Sequence, residues 1–133
     1  MTKTLFDVNY ELFKIQIMNM TEDSKKLFDL ILNKIDVEKF YDDNVVKLSK
    51  IEVFTKLRID GSDCETLSKV ISDLMTEHVF PFKNTPDSKY TNGTRSMLSH
   101  ISYSSDGKDI DVHFIENVKP FLITFKNQNY LDQ

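Results

Sequence analysis

Asp109, Asp111 and His113 recur with period two along one stretch of the chain. On a β-strand that spacing places all three on one face. Two carboxylates and an imidazole side by side are a donor set for a divalent cation, of the kind nucleases and polymerases use. The same spacing also describes the wet face of a half-buried strand, with Ile110, Val112 and Phe114 turned the other way. Nothing else in the chain completes a metal site, so no metal is expected. Cys64 shares helical spacing with Leu67 and Ile71 and is expected in the core rather than as a nucleophile. His78 and His100 have no serine, cysteine or aspartate at a catalytic spacing. The glycines, Gly61, Gly93 and Gly107, are too scattered for a phosphate-cradling loop. The expectation is a protein that is not an enzyme and has no cofactor, with a metal-dependent nuclease or polymerase-like activity as the weakest alternative.

The remaining chemistry is recognition. The net charge is −4 and the isoelectric point about 5.3, which disfavours indiscriminate binding to phosphates. Local patches matter more than the sum. Only two arginines are present, Arg58 and Arg95, so guanine readout by bidentate Arg is sparse. Ser62, Thr66, Lys69, Ser72 and Thr76 fall on the polar side of a helical stretch, interrupted by Glu65 and Asp73. The stretch from Lys83 to Arg95 holds Lys83, Lys89 and Arg95 against Asp87, among several Asn, Ser, Thr and Tyr residues. It suits a loop that touches phosphates or a minor groove. Lys25 and Lys26 near a helix start, with Lys50, Lys56 and Arg58, are further backbone contacts. A solvated or protein-binding face is the competing reading for all of these positions.

Several elements must position these residues. Residues 9–20 mix apolar and polar residues and fit a strand or a short helix. Thr21 caps a helix running to Ile35, with Leu27, Leu30, Ile31, Leu32 and Ile35 as its stripe. Asp42-Asp43-Asn44 signals a turn. Val45–Leu48 reads as a strand, and Ser49 caps a short helix carrying Ile51, Phe54 and Leu57. Arg58-Ile59-Asp60-Gly61 breaks that helix, with Gly61 suited to the turn. Ser62-Asp63-Cys64-Glu65 has the S-x-x-E form of a capping box. It opens a helix with Cys64, Leu67, Val70, Ile71 and Leu74 on one face. His78–Phe82 is strand-like and leads into the polar loop. Met97, Ser99, Ile101 and Tyr103 alternate with Leu98, His100 and Ser102. Ser105-Asp106-Gly107-Lys108 reads as a hairpin turn, followed by the strand of Asp109 to Phe114. A final helix starts near Val118 and carries Phe121, Leu122 and Phe125. Two helices at a tight turn form a helix-turn-helix, and the hairpin with the polar loop is its wing. The expected fold is α+β: a winged helix-turn-helix with a three-helix core, a β-hairpin wing and a closing helix, in a single domain over residues 1–133.

This order resembles the Rep_3-type plasmid replication initiators. Three stretches carry the resemblance: Met20–Asp36, which is similar to the family's opening helix; Val45–Phe82, similar to its strand, helix-turn-helix and first wing strand; and Met97–Tyr130, similar to its closing hairpin and helix. The resemblance implies binding to repeated double-stranded sites (iterons) at a plasmid origin, recruitment of host replication proteins, and homodimers besides monomers. It implies two winged helices, the first giving dimerisation and mainly backbone contacts, the second most base readout. The second is expected to begin where this sequence stops, at Gln133, so full origin recognition is expected to need more than this chain. One cysteine, no signal-peptide run at the start and no apolar stretch near the roughly 18 residues of a membrane span point to the cytoplasm and away from membranes. A protein-interaction domain of the same fold, without DNA readout, is the main alternative.

Overall fold

The computed structural model describes residues 3–40 and 44–130. The elements in chain order are α1 (Leu5–Met18), α2 (Glu22–Lys34), α3 (Val37–Phe40), β1 (Val45–Ser49), α4 (Lys50–Leu57), α5 (Cys64–Glu77), β2 (Val79–Phe82), β3 (Gly93–Ser96), β4 (Leu98–Tyr103), β5 (Asp109–Phe114), a short 3-10 turn (Glu116–Val118) and α6 (Lys119–Tyr130). The turn expected at Asp42-Asp43-Asn44 lies largely outside the described residues.

The segment that fitted either strand or helix is helical and starts earlier, at Leu5. Thr4 opens it with a capping box: its hydroxyl accepts from the Asp7 amide, and the Asp7 carboxylate accepts from the Thr4 amide. Its period is blurred because apolar residues lie on both sides. Phe13 and Ile17 are buried, while Ile15 is 51% and Met18 70% exposed. Thr21 caps α2 as expected, accepting from the Ser24 amide. Ser49 caps α4, and Glu52 completes a capping box there.

The turn between α4 and α5 differs from expectation in detail. Gly61 lies in it, but the left-handed residue is Arg58, at φ 57°. The Arg58 and Ile59 amides donate back to Thr55 and Phe54, closing α4 tightly enough to hold a non-glycine residue there. The cap of α5 is Asp63 rather than Ser62: its carboxylate takes both the amide and the hydroxyl of Thr66. Ser62 instead donates to Asp60. With the helix starting one residue later, Cys64 falls in the first turn and is exposed rather than in the core. Ile51, expected inward, is 77% exposed, because Val53 and Leu57 supply the buried face of α4.

Two hairpins follow α5. β2 and β3 form a separate two-stranded ribbon, and the long polar loop is its tip. β4 and β5 join β1 in a three-stranded antiparallel sheet of order β1-β5-β4. That sheet makes β4–β5 the hairpin anchored to the helix-turn-helix, whereas the ribbon packs along α1. The alternation read in β4 fails at its start. Met97 and Leu98 are both buried, and the register shifts between Leu98 and His100. In β5 it holds, with Ile110, Val112 and Phe114 inward.

Gly107 turns the β4–β5 hairpin at φ +72°. A Cβ there would meet nothing within 4 Å, so the cost of a side chain is conformational. Gly107→Ala is expected to lower stability by about 1 kcal/mol, read as a shift of the urea midpoint at unchanged slope.

One core unites the elements. Leu27, Phe28, Ile31 and Leu32 of α2 meet Leu67, Val70, Ile71 and Leu74 of α5 beneath the sheet residues Val46, Leu48, Ile110 and Val112. Buried at its edge, His78 receives β2 from the end of α5. The single hydroxyl proton of Ser96 goes to the Leu98 carbonyl at 2.8 Å, so Nε2–H of His78 donates to Ser96 Oγ at 2.7 Å. Nδ1 is left bare and buried. Burial pushes the imidazole below its ordinary value of 6.5, although the nearby carbonyls of Leu98, Leu74 and Met75 favour the proton. A depressed folded-state value means the unfolded chain binds the proton more readily. The associated stability is therefore present above about pH 6.5 and is lost as pH falls below it. The melting temperature is expected to drop from about pH 7.5 to about pH 5.5. The drop should shrink in His78→Gln; an equal drop in that variant would show that another group is responsible.

Candidate nucleic-acid interface

The sequence assigns α5 to the recognition position. Ser62, Lys69, Ser72 and Thr76 are exposed, and Thr66 is half-buried. Several of these groups are already engaged. The Thr66 hydroxyl is held 2.6 Å from Asp63, and the Thr76 hydroxyl bonds back to the Ser72 and Asp73 carbonyls. Ser62 is tied to Asp60. Hydrogen bonds from Ser62 hold the Asp60 carboxyl below the usual carboxylate range, and bonds from Thr66 do the same for Asp63. The entry to α5 is therefore anionic. Glu65, Asp73 and Glu77 add three carboxylates along the helix against the single cation Lys69. This helix repels phosphates more than it attracts them.

Cations gather elsewhere. The Lys50 amide donates to the Lys108 carbonyl at 2.9 Å, joining the start of α4 to the tip of the β4–β5 hairpin. The Lys50 ammonium sits 5.8 Å from the centre of the Tyr103 ring, within cation–π reach. Lys47 projects from the exposed side of β1, opposite Asp111. At the tip, a hydrogen bond from Ser104 holds the Asp106 carboxyl low, assisted by the Lys108 amide and by the charge of Lys47. Lys47, Lys50 and Lys108 thus frame one end of the sheet. Among the described residues none of the three has a carboxylate at salt-bridge distance, whereas Lys26 is paired with Glu22 and Lys56 with Asp29.

A family model described as initiator replication protein, WH1, matches residues 6–132. The chain belongs to this family. Among solved structures, the WH1 domain of MSBI1.176, a replication protein isolated from a multiple sclerosis patient, is similar at a TM-score of 0.61 and 13% identity. The likeness covers 94% of this chain and 97% of that one, and it establishes the winged-helix fold. No curated protein matches.

Within the WH1 domain the other expected contacts are spread over several elements. Lys25 is exposed on α2, and Lys26 is engaged by Glu22 at 3.6 Å. Arg58 is exposed at the helix-turn-helix turn. Lys83, Lys89 and Arg95 lie in or beside the tip of the β2–β3 ribbon. Lys47, Lys108 and Tyr103 were missed by sequence reasoning. Lys47 was legible as the outward residue of a strand and Lys108 as the end of the hairpin turn; their proximity to Lys50 depends on strand pairing.

Asp109, Asp111 and His113 do share the outer face of β5. Each faces a different neighbour: Asp109 is opposite Ser49, Asp111 lies between Lys47 and Ser102, and His113 between Val45 and His100. The two imidazoles stack at 3.9 Å, and His113 Nε2 is 3.0 Å from Ser102 Oγ. Among the described residues no three potential ligands converge on a metal position. No helix among them is long and apolar enough to cross a membrane.

Proposed function

We propose that this WH1 domain is a non-catalytic, cytoplasmic DNA-binding module of a plasmid replication initiator, and that it grips the phosphate backbone of duplex origin repeats through the hairpin end of its sheet. The observation that carries this reading is the cluster of Lys47, Lys50 and Lys108: among the described residues none of the three is within salt-bridge distance of a carboxylate, whereas five other lysines are. The anionic face of α5 supports the second half of the reading: base readout by this helix is weak, and sequence choice belongs to a further winged helix of the initiator. Backbone contacts orient a protein on the duplex without reading sequence. Ser62, Thr66, Lys69, Ser72 and Thr76 therefore contribute little, and Arg58, Lys25, Lys83, Lys89 and Arg95 are secondary charges dispersed over other elements. Fluorescence anisotropy with an origin-repeat duplex and a shuffled duplex tests the proposal. Comparable binding to both at low salt is expected; no binding to either would reject it.

Self-association is a second proposed property. The outer edge of β4 is open in the sheet order β1-β5-β4, and Ile15 and Met18 expose apolar surface on α1. Sedimentation across a concentration series should show a monomer–dimer equilibrium, and a strict monomer would remove this part. Contacts with host replication proteins are proposed on the family's role alone.

A further inference from the structure

We propose that the tip of the β2–β3 ribbon is a stacking site for unpaired bases of single-stranded DNA, distinct from the lysine cluster that meets duplex. Tyr90 stands at this tip with its side chain open to solvent, 72% exposed. With most of its ring in solvent Tyr90 adds little to packing, and Lys89 lies 5.5 Å from its centre. On the strands that carry this tip, the Arg95 guanidinium lies 4.3 Å from the centre of the Phe82 ring. A guanidinium stacked on a ring is held flat and offers its outer plane to another flat group. Between Lys83 and Arg95 three cations face the single acid Asp87, in a chain whose net charge is −4. Cations interleaved with aromatic planes are the pattern of single-strand binding, where the backbone follows the charge and bases stack on the rings. A closed duplex has no free base faces to give.

The ribbon is held ready for this. Asn9 on α1 clamps the Lys83 backbone from both sides, accepting from its amide at 2.7 Å and donating to its carbonyl at 3.0 Å. The Asn92 amide donates to the Phe82 carbonyl, and Asn92 Oδ1 accepts from the Asn84 amide. The Ser88 hydroxyl donates to the Tyr90 carbonyl at 2.6 Å, fixing the backbone that presents the ring. Gly93 gives the Phe82 ring its place: a Cβ there would come within 3.1 Å of the ring. Beside Arg95, a cleft of about 210 Å³ is lined by Phe80, Ser96, Ile115, Asn117 and Val118. That is below the roughly 300 Å³ at which small-molecule sites begin, and it suits one ring system with polar edges rather than a whole cofactor.

The inference rests on the reading of the chain as a DNA-binding module, and the test separates the two. Labelled oligothymidine of about twelve nucleotides, an abasic strand of equal length and a duplex are titrated against the chain and against Tyr90→Ala and Tyr90→Phe. The expected result is binding of oligothymidine that weakens about tenfold in Tyr90→Ala, is retained in Tyr90→Phe, and is much poorer for the abasic strand. Duplex affinity should stay unchanged in both variants. Equal binding of the abasic strand, or an equal loss on duplex and single strand, would overturn the stacking site. Intact duplex binding with no single-strand binding would overturn this inference alone, while absence of all binding would remove both readings. Matching thermal melts confirm that the exposed substitutions leave the fold intact.

Discussion

Replacing Phe13 by alanine is expected to cost about 3–5 kcal/mol of folding stability. Phe13 is completely buried in α1. Its ring meets Phe80 of β2 edge-on at 5.7 Å, Phe121 of α6 at 5.6 Å, Phe125 at 6.1 Å and Tyr10 at 6.0 Å. These contacts fasten the first helix, the ribbon and the last helix to one another. Aromatic pairs add about 0.5–1.5 kcal/mol each beyond their buried area. The remaining rings belong to three different elements, so the cavity cannot collapse without moving one of them. Domains of this kind hold only about 5–15 kcal/mol in total, so the variant should be substantially unfolded at moderate urea. Phe13→Leu keeps most of the volume and should retain more than half of the lost stability. A loss below about 1 kcal/mol for the alanine variant would mean that this cluster is not the keystone described.

The largest functional effect is expected from reversing charge at the sheet end. Lys47, Lys50 and Lys108 all project from rigid elements: β1, the first turn of α4 and the hairpin turn. Lys47→Glu, Lys50→Glu and Lys108→Glu together should abolish duplex binding at about 0.1 M salt, where the Debye length is about 10 Å and local repulsion is fully felt. The fold should survive, because Lys47 and Lys108 are exposed, Lys50 is only half-buried, and the Lys50–Lys108 link is between backbone groups. Lys26→Glu together with Lys56→Glu serves as the contrast. Those lysines already answer Glu22 and Asp29, so their reversal should cost stability more than affinity. Equal loss of binding in both sets would indicate a general charge effect.

Much of the fold was legible because its signals were local. Thr21 and Ser49 cap the helices they precede, and β5 keeps a clean period of two. Gly107 sits where the hairpin needs a positive φ. The errors came from competition between neighbours. Both Ser62 and Asp63 can cap, and the carboxylate, which takes two bonds from Thr66, prevailed. That shift of one residue moved Cys64 out to solvent. α1 was ambiguous because its outer side carries Leu5, Ile15 and Met18 in addition to the buried stripe. The interface was less legible than the fold. Lys47, Lys50 and Lys108 are dispersed in sequence and meet only because β1 pairs with β5 and the Lys50 amide reaches the hairpin turn. Lys56 forms an ion pair with Asp29 that links α4 to α2. The Glu22–Lys26 pair has the i,i+4 spacing that a sequence displays, whereas Lys56 and Asp29 are brought together only by the packing of α4 on α2.

Whether the lysine cluster meets DNA phosphates can be read from the salt dependence of duplex binding. Each phosphate neutralised contributes about 0.9 to the slope of log affinity against log salt. Replacing Lys47, Lys50 and Lys108 by glutamine should therefore flatten the slope by about 2.7, three phosphates' worth. Weakened binding with an unchanged slope, or an unchanged affinity, would show that these lysines do not neutralise phosphates.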